Sequence, residues 1–140
     1  MDRDALVQFV RARGLAVLST VGPGGSPQAA VIGVAATDGG DLVFDTVKTS
    51  RKFANLTADP RVALVVGFDW ADERTVQLEG TAAEVGREDP AVAAYYEQFP
   101  AGRERAAWPD IAYVRVRLTW GRYSDFRPES FGSAGIAFAS

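Results

Sequence analysis

Three cations at the predicted start of a short helix could together hold a phosphate group. Lys48, Arg51 and Lys52 fall between positions 48 and 52, directly after an apolar stretch. Thr49 or Ser50 can cap this helix, whose first N–H groups have no partners inside it and whose dipole places partial positive charge there. Arginine can also grip two phosphate oxygens at once. The segment therefore predicts binding of a phosphorylated ligand.

The same cations have a purely structural interpretation, because Arg and Lys pairs usually lie on solvent-exposed helix faces. The overall charge favours a local site over a general nucleic-acid surface. The chain carries 15 Lys and Arg against 18 Asp and Glu, a net charge of −3. Nucleic-acid binders need an excess of cations to displace counterions, so no nucleic-acid partner is predicted.

Two residue types that carry much of enzyme chemistry are missing from this sequence. It contains no cysteine and no histidine. Disulfides, thiolate nucleophiles, imidazole bases and metal sites built from Cys or His are therefore excluded. A site made of carboxylates alone stays open but has no signature, so no metal site is predicted. Any reaction would then depend on a bound organic cofactor.

Length and composition predict one globular domain spanning residues 1–140, with 47% hydrophobic and 24% charged residues. No stretch of about 18 apolar residues is long enough to span a bilayer. The start, Met1-Asp2-Arg3-Asp4, lacks the basic flank and apolar core of a signal peptide. We therefore expect a cytoplasmic protein without a membrane partner.

Short helices and strands alternate around the cationic segment. Periodicity and turn residues predict helices over 4–13, 50–58 and 90–98, with a further helical turn or two within 101–108. They predict strands over 15–21, 28–37, 42–46, 61–68, 74–85 and 111–123. Strand 28–37 is apolar at almost every position, which predicts a barrel interior on one face and a subunit partner on the other. The order is typical of a small closed or partly open antiparallel barrel.

The tail, residues 126–140, is rich in Gly, Ser and Ala but contains Phe131, Ile136 and Phe138. Apolar residues in a tail predict docking, on the partner subunit among other surfaces, and a frayed end is the alternative.

Three segments in order carry a resemblance to a known family: VFDT at 43–46, TSRKFANL at 49–56 and DPRVALVV at 59–66. The strand TVQLEG at 75–80 and the final RVRLTWGRY at 115–123 extend it over about residues 15–123. In these segments the chain resembles the pyridoxamine 5'-phosphate oxidase-like family of flavin-binding split barrels. The resemblance implies a mainly β fold: a six-stranded antiparallel split barrel of Greek-key type, homodimeric, with cofactor sites at the subunit interface.

The resemblance also implies a binding site for flavin mononucleotide (FMN). In the family, cations at the start of this helix hold the FMN phosphate, backbone of the second strand lies along the ring, and a later strand reaches its polar edge. A tryptophan of the last strand approaches the flavin in some members, and packing in the core is the alternative for the one here. The implied cofactor-binding residues are Ala30, Val31, Ile32, Thr46, Ser50, Arg51, Lys52, Thr75, Gln77 and Trp120.

The function that the resemblance implies is an FMN-dependent oxidoreductase with an unknown small-molecule substrate and unassigned catalytic residues. The alternative is a non-catalytic protein that binds or senses flavin or deazaflavin. Some short members use an 8-hydroxy-5-deazaflavin, whose acidic tail would need a cationic groove, for which Arg3, Arg11 and Arg13 are available. Oxidases of vitamin B6 carry a further basic residue near the end of the second strand and an Arg and His pair after the last. This chain has Gly33-Val34-Ala35 there and no histidine, so vitamin B6 oxidation is not expected.

Two further groups of residues could do chemistry. The carboxylates Asp69, Asp72 and Glu73 cluster in one loop, where acid–base work and a solvated hairpin are the alternatives. Tyr95 and Tyr96 lie on a predicted helix, where one could donate a hydrogen bond to a substrate, or the pair could pack on one side and meet water on the other.

Overall fold

The computed structural model describes residues 1–138, in which one curled antiparallel sheet carries helices at its ends. The predicted mainly β, antiparallel split-barrel class is confirmed. In chain order the elements are α1 (Arg3–Arg13), β1 (Leu15–Val21), β2 (Pro27–Gly33), β3 (Ala35–Ala36), β4 (Leu42–Val47), α2 (Arg51–Ala58), β5 (Arg61–Val66), β6 (Arg74–Val85), α3 (Pro90–Gln98), α4 (Gly102–Arg105), β7 (Ile111–Asp125) and β8 (Gly132–Gly135).

One bent strand brings the two edges of the sheet together. The strand order is β2-β1-β5-β6-β7-β4-β3, with β8 paired to β7. The predicted strand over 28–37 is therefore two strands, β2 at one edge and β3 at the other. The chain turns between them at Val34, whose N–H donates to the carbonyl of Gly14 at 2.9 Å. These two strands are one residue apart in the chain and lie at opposite edges of the sheet. The sheet therefore curls into a barrel and hides part of each edge.

Helix ends are where local sequence predicts best. The Asp2 carboxylate caps α1 by accepting from the N–H of Ala5 at 2.8 Å, and Gly14 ends it at φ 69°. Asp89 caps α3, and Pro90 occupies its first turn. Among the helices of residues 1–138, none is both long enough and apolar enough to cross a bilayer.

Inward-facing side chains from the long strands, α1 and α2 fill the barrel. They include Phe9, Leu18, Phe44, Leu56, Leu64, Leu78 and Val116, all buried. A second cluster lies under α3, where Val92 and Tyr95 pack on Val43 and Tyr113. The barrel core fixes β1, β5 and β6, while the second cluster holds α3 against β4.

A partly buried polar triad fastens α3 and α4 to β4. The Tyr95 hydroxyl donates to Asp45 Oδ1 at 2.9 Å, and Arg105 donates to Asp45 Oδ2 at 2.6 Å and to the Tyr95 oxygen at 2.9 Å. Burial, with Asp45 beside it, raises the pKa of Tyr95 to about 12. Tyr95 therefore acts in packing and anchoring, which is the second of its two interpretations.

The tail packs on its own chain as far as it is described. Strand β8 pairs with β7, the Ile136 N–H donates to the Gly121 carbonyl at 2.9 Å, and Ile136 is buried. Phe138 packs against the barrel core, whereas Phe131 is 74% exposed. Docking of the tail on a partner subunit stays a prediction, and residues 139–140 lie outside the described part.

A bulge between β6 and β7 decides which side chains face outward. The register shifts between Glu79 and Gly80, so Trp120 pairs with Glu79 and Leu118 pairs with Gly80. Thr119 and Trp120 are consequently both exposed, although neighbours on a regular strand alternate. A Cβ at Gly80 would lie 3.1 Å from the carbonyl carbon of Arg117 and would press on this backbone.

We expect Gly80→Ala to lower the free energy of unfolding by about 1–3 kcal/mol, because overpacking against backbone has little room to relax. Urea denaturation measures this change. The matched control is Gly135→Ala, whose Cβ would enter open space and should change stability by less than about 0.5 kcal/mol. Equal losses in both variants would contradict the close approach at the bulge.

The Tyr95 triad predicts a loss of stability at alkaline pH. The folded pKa of about 12 lies above the ordinary value of 10.0, so the unfolded chain releases this proton first. The stabilisation is complete below pH 10 and is lost as the pH rises toward 12, each pKa difference of one being worth about 1.4 kcal/mol. Tyr95→Phe should flatten this decline in urea midpoints. Tyr123→Phe removes a tyrosine hydroxyl that lies outside the triad and should leave the decline steep.

Candidate functional site

Two hydroxyl groups, one of which caps the helix, lie at the N-terminus of α2. Ser50 begins the helix, its Oγ accepting from the N–H of Phe53 at 3.2 Å. The same Oγ lies 3.0 Å from Oγ1 of Thr46, at the end of β4. The bond between the two hydroxyls uses one of their hydrogens. The other hydroxyl hydrogen and the free N–H groups of the first turn are the donors left for an anionic oxygen. Of the two caps that the sequence allowed, Ser50 is the one used.

Arg51 is held in place by the strand opposite it. Its Nε donates to Oε1 of Gln28 at 3.1 Å, and no other Arg51 hydrogen bond occurs within residues 1–138. The same Gln28 oxygen accepts from Nδ2 of Asn55 at 2.8 Å, and Asn55 Nδ2 also donates to Thr20 Oγ1 at 3.0 Å. Asn55 and Thr20 are buried. This relay ties the guanidinium to the barrel and leaves its two terminal nitrogens for a ligand.

Sequence reasoning did not assign Gln28 or Asn55 to the site. The signals existed: Gln28 is the polar residue that opens the apolar run over 28–36, and Asn55 lies one helical turn after Arg51. What the sequence could not supply was their distance, since 27 positions separate the two amides.

Arg51, Gln28 and Thr20 line a cavity of about 350 Å³ that we call the cradle, and Ser50 lies next to Arg51 in the chain. Its wall includes Leu18, Thr20, Gln28, Ala30, Arg51 and Lys52. Strand β2 pairs only with β1 among the described strands, so its other side has no strand partner. Ala30 lies in the cradle, Ile32 is buried, and Val31 is 63% exposed on the other face. The strand can therefore offer backbone groups along a ligand that enters the cradle.

Lys48 does not belong to the cradle, although the sequence grouped it with the other two cations. Its Nζ lies 3.5 Å from Oε2 of Glu84, and it is absent from the cradle wall. The cause is geometric: Lys48 precedes the cap and follows β4, so it turns toward the neighbouring end of β6. Two cations, Arg51 and Lys52, remain.

The outer face of the sheet forms a flat surface of small residues beside the cradle. Val31, Val17 and Val65 lie in one row across β2, β1 and β5, and Gln77 of β6 continues it. Ala29, Ser19 and Ala63 form the next row, which ends at Glu79 and Trp120. A cavity of about 170 Å³ on this face is lined by Gln77 and Trp120.

Trp120 is 38% exposed and lies 5.8 Å from the guanidinium carbon of Arg122, measured to the ring centroid. Its alternative interpretation as a core residue is wrong, because the bulge at Gly80 turns it outward. Thr75 lies elsewhere again, with its hydroxyl donating to the carbonyl of Val66 at 3.3 Å. One chain therefore gathers Ala30, Thr46, Ser50, Arg51 and Lys52 but leaves Thr75, Gln77 and Trp120 apart.

Thr75 lines a third cavity, of about 280 Å³, that we call the aromatic cavity. Its wall includes Phe68, Trp70, Glu73, Arg74, Thr75 and Phe126. The sequence identified the loop between β5 and β6 only through its carboxylates and overlooked its aromatic residues.

Two carboxylates of this region, Asp72 and Asp125, are engaged as structural anions. Asp72 pairs with Arg13 and, at 2.5 Å, with Nε of Arg74. Arg127 donates to Asp125 from its backbone N–H, Nε and Nη2, and holds the pKa of that carboxyl well below its usual range. A carboxyl group held as an anion is a poor proton donor at neutral pH. Acid–base work by Asp72 or Asp125 is therefore not supported.

Comparison with known proteins places this fold in a family. The family described as pyridoxamine 5'-phosphate oxidase matches residues 3–125. A pyridoxine/pyridoxamine 5'-phosphate oxidase of Cupriavidus metallidurans is 38% identical over 114 residues, covering 79% of this chain and 52% of the relative. The chain thus spans about half the length of the curated relatives it matches.

Solved structures show the same architecture. A conserved hypothetical protein of Mycobacterium tuberculosis superimposes with a TM-score of 0.73 at 26% identity, covering 91% of this chain and 86% of that one. A structure described as an F420 reductase gives a TM-score of 0.62 at 24% identity, covering 81% and 93%. With the family match spanning nearly the whole sheet and both cradle cations, the chain belongs to the pyridoxamine 5'-phosphate oxidase family.

Proposed function

We propose that this chain is an FMN-dependent oxidoreductase that binds its cofactor phosphate in the cradle. The observation that carries the proposal is the oriented guanidinium of Arg51, whose Nε is held by Gln28 at the N-terminus of α2. Lys52 adds a second positive charge, and Ser50 and Thr46 add hydroxyls. A phosphate monoester needs cations and several donors converging on one point, and the cradle supplies both.

A homodimer would complete the site. Thr75, Gln77 and Trp120 lie away from the cradle of their own chain, so a ring anchored there would meet them on a partner subunit. The flat outer face supports this arrangement. Val31 is 63% and Leu15 46% exposed there, and small residues such as Ala29 and Ala63 let another surface approach closely. Exposed apolar surface of this kind is typical of an interface.

The bound flavin would supply the hydride chemistry, which this chain's own residues cannot perform. The contribution of the chain is positional. The cradle fixes the phosphate, the free side of β2 offers backbone groups along the ring, and Gln77 and Trp120 offer one amide and one aromatic plane at its far end. The catalytic proton donor stays unassigned.

We do not propose for this chain the vitamin B6 substrates for which its relatives are named. Vitamin B6 oxidases use a basic residue near the end of the second strand, where this chain has Gly33. A Cβ at Gly33 would lie 3.4 Å from the ring of Phe99, so the position faces an apolar group. We therefore propose a substrate that carries no phosphate at this point.

An 8-hydroxy-5-deazaflavin is the second candidate cofactor, and the F420 reductase likeness favours it. Its acidic tail would need several free cations, yet two of the three that the sequence offered are engaged, and only Arg3 is left. Arg11 donates to the carbonyl of Ala36 and pairs with Asp38, and Arg13 pairs with Asp72. FMN, whose single phosphate matches the cradle, is therefore the first choice.

Arg51→Ala should weaken FMN binding about ten- to hundredfold, because a charge-assisted contact is worth roughly 1.5–3 kcal/mol. Riboflavin, which lacks the phosphate, should bind the variant and the unsubstituted protein alike. Gln28→Leu should reduce FMN affinity about three- to tenfold, because it frees the guanidinium from its orientation. Flavin fluorescence titration measures all of these affinities.

The matched control is Arg103→Ala, which removes an exposed cation on α4, over the ring of Tyr96 and away from the cradle. Its FMN affinity should be unchanged. If the unsubstituted protein bound FMN and riboflavin equally well, the cradle would not be a phosphate site.

Catalysis distinguishes an oxidoreductase from a flavin-binding or flavin-sensing protein. Mixed without oxygen with reduced nicotinamide, the FMN-loaded protein should lose its visible absorbance and regain it over repeated cycles once an electron acceptor is supplied. Stopped-flow absorbance follows both half-reactions. A complex whose flavin stays oxidised in the presence of reduced nicotinamide and of small organic hydride donors would support the binding protein instead.

A further inference from the structure

Three exposed aromatic side chains line the aromatic cavity and a fourth packs beside them, in a chain whose other large apolar residues are mostly buried. Trp70 is 78%, Phe131 74%, Phe68 51% and Phe126 41% exposed. Trp70 meets Phe126 edge-to-face at 6.2 Å between centroids, and Phe126 meets Phe131 in the same way at 6.0 Å. An exposed aromatic patch around a cavity is typical of a surface that binds a ligand or a partner.

The loop that carries Trp70 is braced from three sides. The N–H of Asp72 donates to the Asp69 carbonyl at 3.1 Å, and that of Phe126 donates to the Glu73 carbonyl at 2.9 Å. Asp72 is pinned by Arg13 and Arg74. The aromatic walls are therefore preorganised, which lowers the entropy lost when a ligand binds between them.

Gly67 fixes the start of the same loop. Its φ is +82°, and a Cβ there would lie 2.7 Å from the carbonyl oxygen of Arg74 and 2.9 Å from Cζ of Phe9. Both the backbone conformation and the space demand glycine. The loop thus leaves β5 on a fixed course over the cavity.

The charge of the cavity wall selects among flat ligands. Asp69 and Glu73 both line it, and neither forms an ion pair with the cations of residues 1–138. The one cation of the wall, Arg74, is already bound to Asp72 at 2.5 Å. The surplus is therefore negative, beside aromatic faces that themselves attract cations.

We propose that the aromatic cavity binds a planar aromatic cation of one or two rings. Its volume of about 280 Å³ suits a ligand of that size. The ring would pack against the aromatic wall that Trp70 and Phe126 form, with its positive charge toward Asp69 and Glu73. Binding of the cation does not depend on a bound cofactor. In one further step, which rests on the proposed function, Thr75 would place the cavity beside the flavin ring and make this cation the substrate class.

The test uses the unliganded protein and three bicyclic probes of one shape: 1-methylquinolinium as cation, quinoline in mildly alkaline buffer as neutral form, and quinoline-4-carboxylate as anion. Calorimetry should give the order cation, neutral, anion, with the cation about three- to thirtyfold tighter than quinoline. Glu73→Gln should remove most of the preference for the cation while quinoline binding persists. Trp70→Leu should weaken all binding at least about tenfold.

Trp108→Leu is the matched control, because Trp108 is 51% exposed, follows α4 and does not line the cavity. Its probe affinities should match those of the unsubstituted protein. Equal affinity for the three probes, or unchanged binding in Trp70→Leu, would overturn the proposal. So would a Trp70-dependent self-association with no probe binding below about 1 mM, since the patch would then be a contact between copies. Because no flavin is present, these outcomes are independent of FMN binding in the cradle.

Discussion

The carbonyl oxygen of one amide side chain, Gln28 Oε1, organises the candidate site. It accepts hydrogen bonds from both Arg51 and Asn55, and so connects the edge strand β2, the N-terminus of α2 and the barrel interior. A flexible arginine is a costly anion receptor, because its side-chain freedom is lost when the ligand binds. Here that freedom is restricted in advance by a group whose own position is set by the buried Asn55. The cradle therefore depends on β2 and α2 keeping their present spacing.

That spacing is set by the way in which the sheet closes. β2 is an edge strand, yet it continues through Val34 into β3 at the opposite edge, so it cannot drift away from the barrel. The relay from Asn55 to Thr20 then fixes α2 over the end of β1. An edge that is anchored at both ends can expose backbone groups to a ligand without offering a free template for aggregation.

The local sequence pattern predicted the helices and strands, whereas contacts between distant residues determine which groups these elements bring together. Gly14, Ser50 and Pro90 act where the sequence predicts, because caps and breakers depend on neighbours a few positions away. The pairing of Lys48 with Glu84 could not be foreseen, since 36 positions separate the two residues. The break at Val34 was hidden as well, because an apolar run looks alike whether it is one buried strand or two strands at opposite edges.

Charge matching explains how an acidic chain can hold an anion. A phosphate monoester carries about −1.5 to −2 charges near neutral pH. Arg51 and Lys52 supply two positive charges, and the first turn of α2 adds partial positive charge at the same point. Lys48 pairs with Glu84 outside the cradle, so the two cradle cations alone match the charge of one phosphate. Because exposed charges beyond about 8 Å are screened at physiological salt, the net charge of −3 opposes the ligand weakly. Under the proposed function, selectivity for a phosphate would follow from donor geometry, which chloride or a single carboxylate would satisfy only in part.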